Sequence, residues 1–335
     1  MNTKSSDWMR AYANIAFIKY WGKKDEALLL PQNNSLSLTL DAFYTDTKVE
    51  FSKDLMADEL WINGQKQEAH ALKKVQQILD IARELGQVTE YAKVSSYNAV
   101  PTAAGLASSA SGLAALTAAV DDALGLHLSK QELSCLARRG SGSACRSIFG
   151  GFVEWQQGTD DSDSYAIPID EANWDIGMIF VIVHDGKKDI SSTEGMRRAV
   201  ETSPFYNAWK SSCEKDLHEI KKAIKQRNLE RVGQIAEHSA LKMHSLNFSA
   251  QPPFNYWSPE SIQVMNCVKD LRKAGYVAYF TMDAGPNVKI ICKASEMDII
   301  YDKLLSNYSP DQLVKALPGP GVQKVNEDQV MIIED

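Results

Sequence analysis

The sequence predicts a mixed α/β (α+β) fold of two domains, and three observations carry that expectation. Strand-like alternation with a tight-turn dipeptide occupies the first part of the chain, a run of small residues then leads into an alanine-rich helix, and long amphipathic helices dominate after residue 184. A length of 335 residues suffices for two domains, and 44% hydrophobic with 24% charged residues allows a large core. The boundary is expected near residue 184, giving an N-terminal domain over 1–183 and a C-terminal domain over 184–335.

Taken in order, Tyr44 to Phe51 and Asp58 to Ile62 alternate aromatic or β-branched residues with polar ones and read as strands. Asn63-Gly64 supplies the positive φ of a tight hairpin. Ala69 to Leu85 carries Leu72, Val75, Ile78, Leu79 and Ala82 at helical spacing and is expected to stop at Gly86. A strand from Ala92 to Ala99 delivers the chain to the small-residue run Pro101 to Gly112 and the apolar helix Leu113 to Leu124. Gly150 to Trp155 begins another strand, and Gly177 to His184 is a continuous apolar run suited to a strand buried on both faces. Lys187 to Gly195 is polar and loop-like. Helices follow at Lys210 to Lys225, Leu229 to Ser245 and Pro259 to Lys273, the last with Pro at its first position and Gly275 beyond its end. Strands Val277 to Met282 and Val288 to Cys292 flank Ala284-Gly-Pro-Asn287.

A net charge of -7 and a pI near 5.5 argue against non-specific nucleic-acid binding, while local basic residues can still hold a polyanionic small substrate. Cys135, Cys145, Cys213, Cys267 and Cys292 are widely spread without a CxxC pair. That pattern fits neither a disulfide framework nor a structural zinc site and points to a reducing cytoplasm. The N-terminus lacks the apolar core of a signal peptide, and no apolar run is long enough to span a bilayer, so no membrane partner is expected. His238 and His244 do not share a helical face as a metal-binding pair would.

Four segments bear groups suited to chemistry. The Pro101 to Gly112 run reads either as a tightly packed Ala/Ser helix face or as a phosphate loop opening a helix, where unpaired N–H groups and the dipole favour an anion. Ser108, Ser109 and Ser111 add hydroxyls that can cap the helix, bond phosphate or ligate a metal riding on a nucleotide. Ala13 to Lys24 reads as a strand ending in Tyr, Trp, Gly and Lys, either an edge with solvated lysines or part of a site. Arg139-Gly-Ser-Gly-Ser-Ala-Cys-Arg146 sets hydroxyls and open backbone beside a guanidinium fork, which suits a carboxylate or phosphate. Thr281 to Asn287 puts Asp283 at a strand end beside a tight turn.

Together these segments resemble the ATP-dependent enzymes of the galactokinase, homoserine kinase, mevalonate kinase and phosphomevalonate kinase superfamily, and more narrowly the diphosphomevalonate decarboxylase family. The resemblance is carried in order by Asn14 to Lys23, Asn33 to Leu38, Pro101 to Gly112, Gly140 to Arg146, Lys187-Lys188 with Ser191 to Met196, Val200 to Ser203, and Thr281 to Asn287. General kinases of the superfamily carry a glycine-rich third motif where this chain has Met-Asp-Ala-Gly-Pro-Asn.

The resemblance implies a two-domain small-molecule-kinase fold with the active site in the cleft between domains, ATP and Mg²⁺ as cofactors, and pairing as a homodimer. It implies phosphorylation of the tertiary hydroxyl of mevalonate 5-diphosphate, then loss of phosphate and carbon dioxide to give isopentenyl diphosphate. Asp283 would face that hydroxyl as a base or a guide. Arg146 would hold the substrate carboxylate, with Ser141, Gly142, Ser143, Ala144 and Cys145 around it. Tyr20, Trp21, Gly22 and Lys23 would receive the diphosphate, Lys23 also counting among the catalytic groups. Ser192 and Thr193 would add contacts, although some bacterial relatives carry Arg at the second position. Ala104, Gly105, Leu106, Ala107, Ser108 and Ser109 would wrap the ATP phosphates, with Ser108 or Ser109 near Mg²⁺, Ser96 and Asn98 toward the nucleoside, and Lys187 on a lid with Lys188. A same-fold kinase without decarboxylation and a catalytically silent ligand-binding relative are the alternatives.

Overall fold

The computed structural model describes residues 3–99, 108–183 and 189–330. The first half of the chain supplies β1 (Lys4–Ser5), β2 (Trp8–Ile18), β3 (Lys23–Asp25), β4 (Leu30–Pro31), β5 (Ser35–Ser52), β6 (Glu59–Ile62), β7 (Gln65–Lys66), α1 (Ala69–Gly86), β8 (Tyr91–Ala99), α2 (Ser108–Leu124), α3 (Lys130–Gly140), β9 (Phe152–Trp155) and β10 (Ala166–Asp170). The second supplies β11 (Gly177–Val181), α4 (Ser192–Thr202), α5 (Tyr206–Lys225), α6 (Leu229–Phe248), α7 (Pro259–Lys273), β12 (Ala278–Met282), β13 (Val288–Cys292), α8 (Met297–Leu304), β14 (Leu313–Ala316) and β15 (Gln323–Val325).

Two sheets organise these elements. The larger runs β10-β9-β5-β8-β6-β7, with β1 and β2 also on β5 and β15 on β2. The smaller is antiparallel, in the order β12-β13-β11-β14. The long β5 is the hub of the first sheet, pairing with β9 through Ser35–Leu38 and with β8 through Tyr44–Ser52. One face of that sheet is covered by α1, α2 and α3, whose Ile78, Leu79, Ala114, Leu116 and Ala119 pack on Val49, Val94 and Val153. Its other face, with Phe17, Leu38 and Phe43, meets α5, α6 and the second sheet. Phe43 and Phe180 close that seam edge-to-face at 4.6 Å. Each of these rings contributes about 2–3 kcal/mol by burial, and the pair geometry adds about 1. The far face of the second sheet is sealed by α7 and α8. Strand β2 lies between two cores, which is why its sequence is almost continuously apolar.

The structure revises several expectations. A boundary near 184 places Gly177–Val181 in the first domain, yet β11 pairs with β13 and β14. The change of sheet therefore falls between Asp170 and Gly177, not near 184. The expected stop of α1 at Gly86 moves one residue on. Gln87 takes the left-handed turn at φ 50°, while Gly86 lies against Leu124, too close for a side chain to fit easily. The Asn63-Gly64 hairpin forms as predicted, both residues at positive φ between β6 and β7. The described end of the small-residue run is packed: Ala110 is fully buried, as are Ala114, Ala115 and Ala119 of the helix it leads into, and Ser111 shares a 2.8 Å hydrogen bond with Thr45. Pro101 to Ala107 lie outside the described residues.

The chain returns to the first sheet after β14. Pro318 bridges Leu40, Gly319 N–H donates to the Thr39 carbonyl at 2.8 Å, and β15 pairs with β2 from Arg10 to Trp8. A Cβ at Gly150 would fall 2.7 Å from the Gly321 nitrogen, so this crossing needs glycine.

Candidate active site

A cavity of about 280 Å³ opens where the two halves meet, lined from both. Its floor is built by strand ends. β2 runs out into Lys19, whose ammonium is almost fully buried and donates to the Ala16 carbonyl and to Asp283 Oδ1, both at 2.7 Å. Asp283 follows the last residue of β12. Its second oxygen lies 3.1 Å from the ammonium of Lys289 on β13, which also donates to the Asn287 carbonyl at 3.3 Å. The Asp283 side chain keeps 38% exposure, so the carboxylate is pinned from behind and open in front. Burial opposes its ionisation, but the two ammonium groups outweigh burial and hold it well below the usual carboxylate range. Burial pulls Lys19 down to about 8 against the support of Asp283.

The second wall comes from α3 and the short 3₁₀ helix Gly142–Ile148. Ser129 and Glu132 form a reciprocal cap that fixes the start of α3. The chain then turns at Ser141 and brings Arg146 inward. Arg146 is 2% exposed and donates from Nε to Asn14 Oδ1 at 3.1 Å and from Nη1 to Ser35 Oγ at 2.6 Å. Asn14 is itself set by bonds to Ser147 and the Ser143 carbonyl. Among the described residues no carboxylate forms an ion pair with Arg146, Lys23 or Lys74, all three of which line the cavity. Ser141 and Ser143 line it with hydroxyls 3.5 Å apart. Gly142 lets Trp155 and Tyr20 approach, since a Cβ there would meet Trp155 at 2.5 Å.

Of the residues singled out from sequence, Asp283, Arg146, Lys23, Tyr20, Trp21, Ser141, Gly142, Ser143, Ser192, Thr193 and Ser109 all line this one cavity. Ser109 lies in the first turn of α2. Ser192 and Thr193 open α4, behind the Ser191 cap. Other expectations are corrected. Gly22 faces Tyr206, whose hydroxyl donates to the Trp21 carbonyl at 2.7 Å. Ala144 and Cys145 are fully buried in the first core, and burial pushes the Cys145 thiol up to about 12, leaving it inert. Ser96 and Asn98 sit on β8 and do not line the cavity; they bond instead to Thr47 and Thr45 across the sheet. Ala104, Gly105, Leu106, Ala107, Lys187 and Lys188 lie outside the described residues, and Ser108 is placed only as the first residue of α2.

Sequence reasoning missed Lys19, Lys74 and Lys289, all of which line the cavity. Lys19 and Lys289 each carried a signal: a lone lysine after or within an otherwise apolar strand has to be paired to be buried.

The first half of the chain, residues 11–166, matches the family model of the diphosphomevalonate decarboxylase-like N-terminal domain. Residues 178–333 match that of the mevalonate 5-diphosphate decarboxylase C-terminal domain. The chain belongs to the diphosphomevalonate decarboxylase family. The diphosphomevalonate decarboxylase of Homo sapiens is 36% identical over 303 residues, covering 84% of this chain and 75% of its own length. Two solved structures of diphosphomevalonate decarboxylases overlay almost end to end. MDDEF in complex with MVAPP, AMPPCP and magnesium has a TM-score of 0.93 at 49% identity, covering 97% of this chain and 100% of its own. A structure of the enzyme from Enterococcus faecalis, concerned with mevalonate diphosphate mediated ATP binding, gives 0.92 at 48% identity with the same coverage. The gap between the two matched regions coincides with the change of sheet after β10.

Proposed function

We propose that the cleft carries out ATP-dependent decarboxylation of mevalonate 5-diphosphate to isopentenyl diphosphate, with ADP, phosphate and carbon dioxide as the other products. One observation carries the reading. In a chain of net charge -7, the described residues line the cavity with five cations, Lys19, Lys23, Lys74, Arg146 and Lys289, against the single carboxylate of Asp283. Such a surplus suits a substrate with a carboxylate and a diphosphate beside a nucleoside triphosphate.

Arg146 takes the substrate carboxylate, its guanidinium held by Asn14 and Ser35 so that little freedom is lost on binding, with Ser141 and Ser143 beside it. Tyr20, Lys23 and the N-terminus of α4 with Ser192 and Thr193 receive the diphosphate. Thr193 offers a hydroxyl but no charge, which leaves more of the tail to Lys23 and Lys74. Magnesium arrives with the nucleotide as part of the substrate. Among the described residues no group of three His, Cys, Asp or Glu side chains could hold a metal, whereas Ser109 at the opening of α2 suits a nucleotide-borne ion.

Asp283 accepts a hydrogen bond from the tertiary hydroxyl and aims its oxygen at the γ-phosphorus. Two lysines keep the carboxylate ionised, so it serves as a fixed guide and charge more than as a strong base; in a loose phosphoryl-transfer transition state the hydroxyl proton leaves late. In the second step the tertiary C–O bond breaks and phosphate departs with the electron pair. The bond to the carboxylate then supplies two electrons for the new double bond, and carbon dioxide is released. Asp283 stabilises the cation-like carbon, while Arg146 holds the carboxylate until it leaves.

The five cysteines are all free, which supports a reducing cytoplasm, and no helix among the described residues is long and apolar enough to cross a membrane. The family resemblance supports a homodimer, checked by light scattering. The test of function is incubation with Mg²⁺, ATP and carboxyl-labelled mevalonate 5-diphosphate. Equal yields of ADP and labelled carbon dioxide, both lost in Asp283→Ala, are expected. ADP without carbon dioxide would make the chain a kinase, and neither product would make it a silent binding protein.

A further inference from the structure

Two lysines converge on one carboxylate in the cleft floor, and a structural ion pair needs only one of them. Burying a charge costs several kcal/mol after relaxation, and a second cation beside the first adds repulsion to that cost. Lys289 is the second cation. It sits in a strand whose five residues are all buried, where its neighbours are Val288, Ile290, Ile291 and Cys292. Along the strand it shares a face with Ile291, which points into the core between the sheets, while Val288, Ile290 and Cys292 face α7 and α8. It pairs in register with Thr281 on β12 and Phe180 on β11, so its ammonium reaches the cleft from the middle of the second sheet.

We propose that Lys289 is a positioning residue for the reaction, holding Oδ2 of Asp283 so that the carboxylate stays fixed toward the substrate hydroxyl while Lys19 holds Oδ1. The proposal rests on the decarboxylase reading of the cleft. The two oxygens have different anchors. Lys19 is clamped by the Ala16 carbonyl at 2.7 Å, whereas among the described residues Lys289 has, besides the carboxylate, only the longer 3.3 Å contact to the Asn287 carbonyl. Without Lys289 the carboxylate keeps one donor and is free to turn about its terminal bond, and an oriented acceptor becomes a swivelling one.

Lys289 also acts on Lys19 through charge. Lys19 lies at about 8 because burial disfavours its ammonium, and Lys289 and Arg146 push in the same direction against Asp283. Among the described residues, Tyr20 and Cys145 face Arg146, both kept neutral by burial, and His244 on α6 faces Lys19, Asp283 and Lys289. Burial, and then the Lys19 charge, hold its imidazole at about 3, so it is neutral throughout the assay range. Removing Lys289 takes away a repulsion, and the Lys19 ammonium then persists to higher pH.

The experiment compares wild type, Lys289→Met, Lys289→Gln and Lys289→Arg, reading ADP and carbon dioxide formation separately from pH 6 to 10. For both neutral variants, kcat should fall about tenfold with KM for either substrate changed less than about twofold. The alkaline limb set by loss of the Lys19 proton, which releases Oδ1 of Asp283, should lie about half a pH unit or more above that of wild type. Lys289→Arg should keep the limb at the wild-type position and recover most of kcat. If Lys289→Met does not fold by circular dichroism, Lys289→Gln carries the same expectation. An alkaline limb that stays put or moves down in the neutral variants, or an unchanged kcat, overturns the proposal. Failure of the decarboxylase reading is seen independently, as wild-type ADP without carbon dioxide, and the positioning role is then read on ADP formation alone.

Discussion

Gly22 separates the cleft residues Trp21 and Lys23 without lining the cleft, and its substitution gives a quantitative check on how this segment is held. Its φ is +130°, a region closed to most side chains, and a Cβ there would fall 2.0 Å from the Tyr206 hydroxyl and 2.7 Å from Val200. In Gly22→Ala the backbone strain costs about 1–3 kcal/mol. Displacing the Tyr206 hydroxyl from the Trp21 carbonyl adds about 1–3 kcal/mol for a buried bond left unmade. The expected loss is therefore about 2–6 kcal/mol. In a Tyr206→Phe background the overlapping oxygen is gone and its bond already lost, so Gly22→Ala should cost only the strain and the Val200 contact, about 1–3 kcal/mol. Urea unfolding of the four proteins, followed by tryptophan fluorescence, closes the cycle, with an expected coupling of at least about 1 kcal/mol. Costs that add to within about 0.5 kcal/mol would refute the stated overlap. The single variant should also lose kcat/KM, because Trp21 and Lys23 move with the backbone between them.

Three further outcomes are expected. Arg146→Lys loses the bonds to Asn14 and Ser35 and the guanidinium fork; at about 1.5 kcal/mol for each of two charge-assisted bonds, kcat/KM should fall about 100-fold, and a fall below about threefold would contradict its carboxylate role. Leu29 lines the cavity from a left-handed turn at φ 54°, so Leu29→Gly should raise the unfolding midpoint by relieving about 1 kcal/mol of strain while raising KM through a wider cleft; a lowered midpoint would count against it. His244 has its folded pKa depressed by burial to about 3 from 6.5, so the unfolded chain binds the extra proton in that window and stability falls as pH drops from 6.5 toward 3. His244→Phe should flatten the stability–pH slope there by up to about 1.4 kcal/mol per pH unit, measured by urea unfolding at several pH values.

Local signals carried much of this fold. Asn63-Gly64 forms its hairpin because two residues in succession accept positive φ, and Pro259–Lys273 begins and ends where Pro at its start and Gly275 beyond its end indicate. Gly177–Val181 was legible as a buried strand but not as a member of the second sheet, because its partners β13 and β14 lie more than a hundred residues further on. In the site, Arg146 stood out as a guanidinium beside alternating Ser and Gly, and Asp283, otherwise an ordinary turn residue, through the family resemblance. That Ser96 and Asn98 bond to Thr47 and Thr45 was not legible, because a polar residue facing a neighbouring strand looks, in sequence, like one facing a ligand. Lys19 and Lys289 were hidden among apolar neighbours, and only the meeting of β2, β12 and β13 shows that they share one carboxylate.

The return of the chain after β14 bears on how the protein is made. As the chain leaves the ribosome, the first sheet emerges with the start of β2 unpaired along one edge, and the strand that covers it, β15, appears only after the whole second half has been synthesised. That bare edge is a template for pairing with the wrong chain throughout translation. The residues that line the cleft, the last of them Lys289, are made before β15, so a nascent chain holds all its chemistry before its edge is covered.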